Sequence, residues 1–181
     1  MTFNRTSLNG CIVLEPNVFS DGRGSFKEVY KKEQLDKALG YEVHFVQDNE
    51  SVSTRGVLRG LHFQKGEFAQ AKLVRVTQGT VLDVAVDLRP DSSTYGQYFS
   101  IELSAENNKQ LFIPRGFAHG FVVLTDTAIF SYKCDNYYNK AAEGGILFND
   151  NHLAIDWKLP ENQLLLSDKD LKLPKFTALE I

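Results

Sequence analysis

A chain of 181 residues with 43% hydrophobic, 12% aromatic and 24% charged side chains can bury a sizeable core, and it reads as one globular domain spanning residues 1–181. Its formal net charge of −3 and pI near 5.8 argue against a nucleic acid or an anionic membrane as partner, since either favours a basic surplus. A few local arginines would still suffice for a small anionic substrate.

The N-terminal residues MTFNRTSLNG contain no apolar h-region, so no secretory leader is expected. No run approaches the roughly eighteen apolar residues of a membrane-spanning helix. The two cysteines, Cys11 and Cys134, form no CxxC and read as buried free thiols of a cytoplasmic protein, with a single disulfide left open.

In chain order, Cys11 to Phe19 predicts a strand broken at Pro16-Asn17, followed by the turn cluster Ser20 to Gly24 and an alternating segment from Ser25 to Tyr30. Lys31 to Leu39 carries the one convincing helical pattern, with Leu35, Ala38 and Leu39 on one side and Gly40 in a stop position. Val43 to Ser53 has period two and places Gln47, Asn49 and Ser51 on a common side. Lys72 to Thr77 and Val81 to Leu88 are strong strands, and the Gln78-Gly79 step between them predicts a hairpin. Strands are also predicted at Tyr98 to Leu103, Gln110 to Ile113, Phe117 to Leu124 and Thr127 to Cys134, and the last of these puts Ala128, Phe130 and Tyr132 on one face. A leucine-rich tail follows Trp157. Many short strands with close turns predict an all-β jelly-roll sandwich or barrel with a few short peripheral helices, because so little helix cannot cover a parallel sheet.

The chemistry concentrates in Gly56 to Lys72, GVLRGLHFQKGEFAQAK, where Arg59, His62, Gln64, Glu67 and Lys72 sit among strand-like apolar residues. These are residue types that bind anions and move protons. Strict alternation would send Arg59 and His62 to opposite faces. If both serve one pocket, Gly60 must mark a bulge that re-aims one of them.

A jelly roll with a histidine on such a strand also raises a cupin metal site, with His62, Glu67 and the His119 of the Pro114-Arg115-Gly116-Phe117-Ala118-His119 corner as ligands. Gln64 stands where a second imidazole would be needed, and nearby Arg59, Lys72 and Arg115 add positive charge, so the metal reading is the weaker one. Taken singly, Tyr132 fits a core aromatic, Asp170 fits the acid of an S-x-x-D capping box begun by Ser167, and Arg23 fits a solvated turn. The residues by themselves reach a pocket with a histidine base, a tyrosine acid and a cationic rim.

Seven runs carry a resemblance that extends this reading: FSDGRGSFKEVY (Phe19 to Tyr30), FVQDNESVS (Phe45 to Ser53), GVLRGLHFQ (Gly56 to Gln64), QAKLVRVTQGTVLDVAVDLR (Gln70 to Arg89), IPRGFAHGF (Ile113 to Phe121), YKCDNYY (Tyr132 to Tyr138) and LSDKD (Leu166 to Asp170). In this order, over nearly the whole chain, they resemble the dTDP-4-dehydrorhamnose 3,5-epimerase family. The resemblance implies a cupin jelly roll without metal or cofactor, a homodimer with a subunit-crossing active site, and a dTDP-sugar substrate.

It further implies that His62 removes the C3 and C5 protons of a 4-ketosugar. Asp170 would orient the imidazole, Tyr132 return a proton from the other face, and Lys72 stabilise the enolate. By the same resemblance Arg23 and Arg59 contact the diphosphate, and Glu28, Gln47, Asn49, His119, Glu143 and Lys169 contact substrate. Phe19, Phe26 and Tyr138 would stack on the base, while Arg23 and Glu28 would reach into the neighbouring subunit. Two rival readings are a C3-only epimerase and a non-catalytic jelly roll that binds sugar nucleotides; a metal-dependent cupin oxygenase is a third.

Overall fold

The structure is a computed structural model, and it describes residues 1–179. In chain order the elements are β1 (Thr2–Arg5), β2 (Ile12–Glu15), β3 (Val18–Asp21), β4 (Gly24–Lys27), α1 (Lys32–Leu39), β5 (Gln47–Thr54), β6 (Leu58–Gln64), β7 (Lys72–Gln78), β8 (Thr80–Asp87), β9 (Tyr98–Ser104), β10 (Gln110–Ile113), β11 (Phe117–Val123), β12 (Thr127–Cys134) and β13 (Glu143–Gly145). Short 3₁₀ turns complete the chain, including Gly66–Phe68 and Asp170–Lys172. Among the described residues no helix is long and apolar enough to cross a membrane.

Two antiparallel sheets face each other. The first runs β1-β2-β10-β7-β12-β5, the second β13-β6-β11-β8-β9, and β3-β4 stands apart as a two-stranded ribbon. Alternation makes each sheet two-faced. The inner faces meet through Val74, Val76, Leu111, Ala128 and Phe130 from one side and Val81, Ala85, Leu103, Phe121 and Val123 from the other. This is the expected all-β jelly-roll sandwich.

Both outer faces are covered in part. Helix α1 ends where Gly40 takes φ 80° and donates its N–H to the Asp36 carbonyl, and Leu35 packs with Ile12, Leu14, Leu73 and Phe112 outside the first sheet. Leu82, Val84 and Val86 share one side of β8, as alternation along a strand requires. That side points away from the inter-sheet core and is covered by Ile146, Phe148, Leu153, Trp157 and Phe176 of the C-terminal segment. Strand β8 is therefore buried on both faces, and the polar residues of its inner face, Asp83 and Asp87, are fully buried.

The predicted hairpin at Gln78-Gly79 is not one. β7 pairs with β10 and β12, whereas β8 pairs with β9 and β11, so the turn carries the chain from one sheet to the other. Gly79 has φ 74°, and a Cβ there would lie 2.1 Å from the Thr127 carbonyl oxygen. The strand predicted from Val43 begins only at Gln47, because Val43 and Phe45 turn into the cluster around α1. Gly79→Ala should therefore combine a disfavoured backbone with a steric clash. It should lower stability by about 2 kcal/mol or more, read as a drop in the urea midpoint at constant slope.

Candidate active site

The site grows from one irregularity in the pairing of β6 with β11. His62 lies opposite His119 and Leu58 opposite Val122, but the register shifts between His119 and Phe121, at Gly60. Gly60 has φ 129°, the Gly60–Leu61 peptide is cis, and a Cβ on Gly60 would sit 2.6 Å from the Gly120 Cα and 2.8 Å from the His119 carbonyl. Only glycine allows that approach. The slip resolves the parity conflict in the sequence: Arg59 and His62, three residues apart, line the same cavity.

That cavity, about 590 Å³, opens between the sheets and also takes in Lys72, His119, Tyr132, Ser51, Lys169 and Asp170. A second cavity of about 280 Å³, lined by Gln47, Asn49, Gln64, Tyr138 and Glu143, shares His62, Lys72 and Tyr132 with the first. The three shared side chains stand at the junction of the two spaces.

His62 Nε2 lies 2.6 Å from Asp170 Oδ1, across 108 residues of sequence. The carboxylate arrives from the tail because Leu165 bridges Val57 beside β6, with the Leu58 N–H donating to the Leu165 carbonyl and the Leu165 N–H to the Gly56 carbonyl. Ser167 then accepts from the Asp170 N–H at 3.1 Å, as the capping reading predicts. Burial opposes ionisation of Asp170, yet hydrogen bonds from His62, Ser167 and the Gly60 N–H hold its carboxyl below the usual carboxylate range. An ionised Asp170 accepts from Nε2–H, which leaves Nδ1 of the neutral imidazole as the lone-pair atom.

Around this pair the polar groups interlock. Glu143 accepts from Lys169 Nζ at 2.6 Å and from the Tyr138 hydroxyl at 2.8 Å. Gln47 Nε2 donates to Asn49 Oδ1 at 3.0 Å, and the Tyr138 N–H donates to Gln47 Oε1 at 3.2 Å. Arg59 Nε donates to Ser53 Oγ at 3.1 Å. Burial pushes the Tyr132 phenol upward, with the Cys134 side chain adding to the effect, so the phenol stays protonated at neutral pH. Burial pulls the Lys72 ammonium down, while Cys134, Asp83 and Glu143 push it back up.

The structure thus brings together His62, Asp170, Lys72, Tyr132, Arg59, His119, Lys169, Gln47, Asn49, Glu143 and Tyr138. It does not bring Phe19, Arg23, Phe26 or Glu28 to either cavity. They lie on or beside the β3-β4 ribbon and are exposed; Phe19 and Phe26 are 62% and 70% accessible, and Arg23 pairs with Asp21. The possible metal set is not assembled either. Glu67 stands in an exposed turn, and among the described residues no three His, Cys, Asp or Glu side chains are grouped to hold an ion. Cys11 and Cys134 are buried and unbridged.

Sequence reasoning left three polar groups without a role. Ser53 anchors Arg59. Ser51 Oγ is buried at the cavity wall without a partner. Asp83 lies fully buried beneath His119. The signal for Asp83 was present, since an acid within VLDVAV is out of place in a doubly buried strand.

A histidine held by a carboxylate, a protonated phenol and an ammonium around one jelly-roll cavity are the parts of an enzyme that moves protons, an isomerase of the epimerase class. The comparisons agree with that class. A family model described as dTDP-4-dehydrorhamnose 3,5-epimerase matches residues 5–178. A protein of that name from Escherichia coli is 52% identical over 173 residues, covering 96% of this chain and 93% of its own. The crystal structure of dTDP-4-dehydrorhamnose 3,5-epimerase from Elizabethkingia anophelis superposes with TM-score 0.95 at 56% identity, covering 98% of this chain and 97% of that one. A dTDP-6-deoxy-D-glucose-3,5-epimerase from Legionella pneumophila, in complex with dTDP-4-keto-L-rhamnose, superposes at 0.94 with 44% identity over 99% of this chain and 94% of its own. The chain belongs to the dTDP-4-dehydrorhamnose 3,5-epimerase family.

The depressed Asp170 carboxyl carries a sign. Stability from such a group is present above the ordinary carboxylate pKa and is lost as pH falls through its lower folded value. Asp170→Asn should cost about 1–3 kcal/mol near neutral pH, and denaturation curves of variant and wild type should converge below about pH 4.

Proposed function

We propose that the chain converts dTDP-4-dehydro-6-deoxy-D-glucose to dTDP-4-dehydro-L-rhamnose, inverting C3 and C5 by proton transfer that its own side chains carry out. The observation that carries this reading is the placement of His62, Lys72 and Tyr132 at the junction of two cavities, with Asp170 2.6 Å from the imidazole.

Protons at C3 and C5 are acidic because both carbons flank the C4 ketone. His62 Nδ1 takes such a proton, and the resulting imidazolium is stabilised by Asp170. Charge then grows on the C4 oxygen, where the Lys72 ammonium opposes it. Tyr132, kept protonated by its burial, returns a proton to the opposite face and so inverts the centre. Positioned acid–base groups of this kind contribute about 10²–10⁴-fold.

Arg59, steadied by Ser53, suits the diphosphate, for which a guanidinium fork is well shaped. Gln47, Asn49, His119, Glu143 and Lys169 line the cavities and suit the sugar and its nucleotide, with Tyr138 as a stacking surface. The ribbon residues require a second copy of the chain. Exposed Phe19 and Phe26 would stack on the base, while Arg23 and Glu28 would complete the partner's site, making the working form a homodimer. One domain over residues 1–181, acting in the cytoplasm in dTDP-L-rhamnose biosynthesis, fits the absence of basic surplus and of apolar helices among the described residues.

Incubation with the ketosugar nucleotide in D₂O tests the reaction. Deuterium should enter both C3 and C5 without added metal. Entry at C3 alone would indicate a mono-epimerase, and no entry a binding module. His62→Ala should reduce exchange by about 10²-fold or more, and Tyr132→Phe should impair inversion at C5 more than exchange. For the ribbon, Arg23→Ala should raise KM more than it lowers kcat while sedimentation still shows a dimer. A monomeric wild type would refute the shared site.

A further inference from the structure

His62 has a counterpart directly across the ladder. His119 is its Cα partner on β11, and His119 Nε2 lies 2.8 Å from Asp83 Oδ2 on the next strand, β8. Two histidine–carboxylate pairs therefore stand side by side, with both imidazoles at the cavity wall and Asp83 beneath it. Both carboxylates are buried, Asp83 completely and within the inter-sheet core, and His119 is the more buried of the two imidazoles. The second oxygen, Asp83 Oδ1, is inaccessible to solvent and has no hydrogen-bond partner among the described residues. A fully buried carboxylate oxygen without a donor is costly, and such a group is retained where its charge is used.

We propose that Asp83 is a positioning residue of the epimerase site, holding His119 with Nδ1 toward the cavity and supplying the buried negative charge that keeps Lys72 an ammonium. The inference rests on the enolate-stabilising role given to Lys72 above.

The charges facing Lys72 can be taken one by one. On β12, the Cys134 thiol and the Tyr132 phenol are both pushed up by burial and stay neutral near neutral pH. On β13, Glu143 acts on Lys72 but is already neutralised by Lys169 and bonded by Tyr138. Asp170 is taken by His62. Arg59 and Lys169 line the same cavity and oppose a further positive charge, as would a protonated His62. His119 is held toward its neutral form by burial despite Asp83, so it leaves the Asp83 charge uncancelled. Glu50 also lines the cavity, but it accepts from the Ser131 hydroxyl at 2.9 Å and is not among the charges that raise Lys72, which leaves Asp83 as the buried carboxylate that does so without a cation of its own. Neutral His119 donates Nε2–H to Asp83, which leaves Nδ1 to accept a hydrogen bond from a hydroxyl in the cavity.

Asp83→Asn keeps the shape and an acceptor for His119 while removing the charge. The acetylation rate of Lys72 by acetic anhydride, followed by mass spectrometry from about pH 6 to 10, reads the amine directly and without turnover. Failure here is thus separable from failure of the proposed reaction, which deuterium exchange by the wild type decides. In Asp83→Asn the midpoint for Lys72 should fall by roughly one pH unit or more, and the alkaline limb of kcat should move toward neutral with it. An unchanged Lys72 midpoint in the folded variant would overturn the proposal. Should Asp83→Asn fail to fold, Asp83→Asn/Lys72→Met should restore folding by removing both charges together, and a double variant no more stable than the single would overturn it. In the wild type, ¹⁵N spectra should show His119 neutral with its proton on Nε2; an Nδ1–H tautomer or an imidazolium would count against the assignment.

Discussion

The pairing of β6 with β11 has to satisfy two demands at once. Ladder hydrogen bonds hold the strands in register, and register fixes which side chains face the cavity. A regular ladder would deliver His62 to the cavity and turn Arg59 away. The slip at Gly60 lets both enter, and it works only because the two backbones approach at Gly60 and Gly120 without a Cβ between them. The rest of the site builds on that approach. The tail pairs beside β6 at Val57, which brings Asp170 to His62, and the opposite side of the slip places His119 over Asp83.

Electrostatically the cavity is lined and backed by carboxylates, each given a hydrogen-bonding partner. Asp170 holds His62, Asp83 holds His119, and Glu143 holds Lys169 and Tyr138. Removing one member of such a buried pair costs more than the pair contributes, because the other charge is left stranded. The cavity keeps one imidazole nitrogen of His62, the Tyr132 phenol and the Lys72 amine at the junction of its two spaces, with the amine over the Tyr132 ring. Fixed dipoles and charges around a dry site need no reorganisation when charge moves, which is the main advantage of building it inside a sandwich.

Much of this was legible in the residues. Period-two alternation marked most of the strands, Gly40 marked the helix end, and the parity conflict between Arg59 and His62 marked the bulge. What escaped was non-local. A glycine turn between two strong strands looks the same whether the strands pair or part into different sheets, and only the pairing of β7 with β12 and of β8 with β11 shows that Gly79 is a corner. Asp83 had no role in the sequence, because alternation alone cannot tell a solvent face from a second buried one. Asp170 could be read locally only as a cap; its partnership with His62 spans 108 residues and depends on where the tail docks. The β3-β4 ribbon has its site residues named by family likeness, while the single chain leaves them facing solvent.

That docking also couples packing to chemistry. Both sheets are complete by β13, which ends at Gly145, yet the carboxylate bonded to His62 comes from residue 170. Until the final segment lies down beside β6, the outer side of β8 lacks its cover and His62 lacks its carboxylate. The C-terminal strap thus does two things at once, covering the outer side of β8 and delivering the carboxylate to His62, so that shortening the chain ahead of it would remove core packing and the imidazole's partner together.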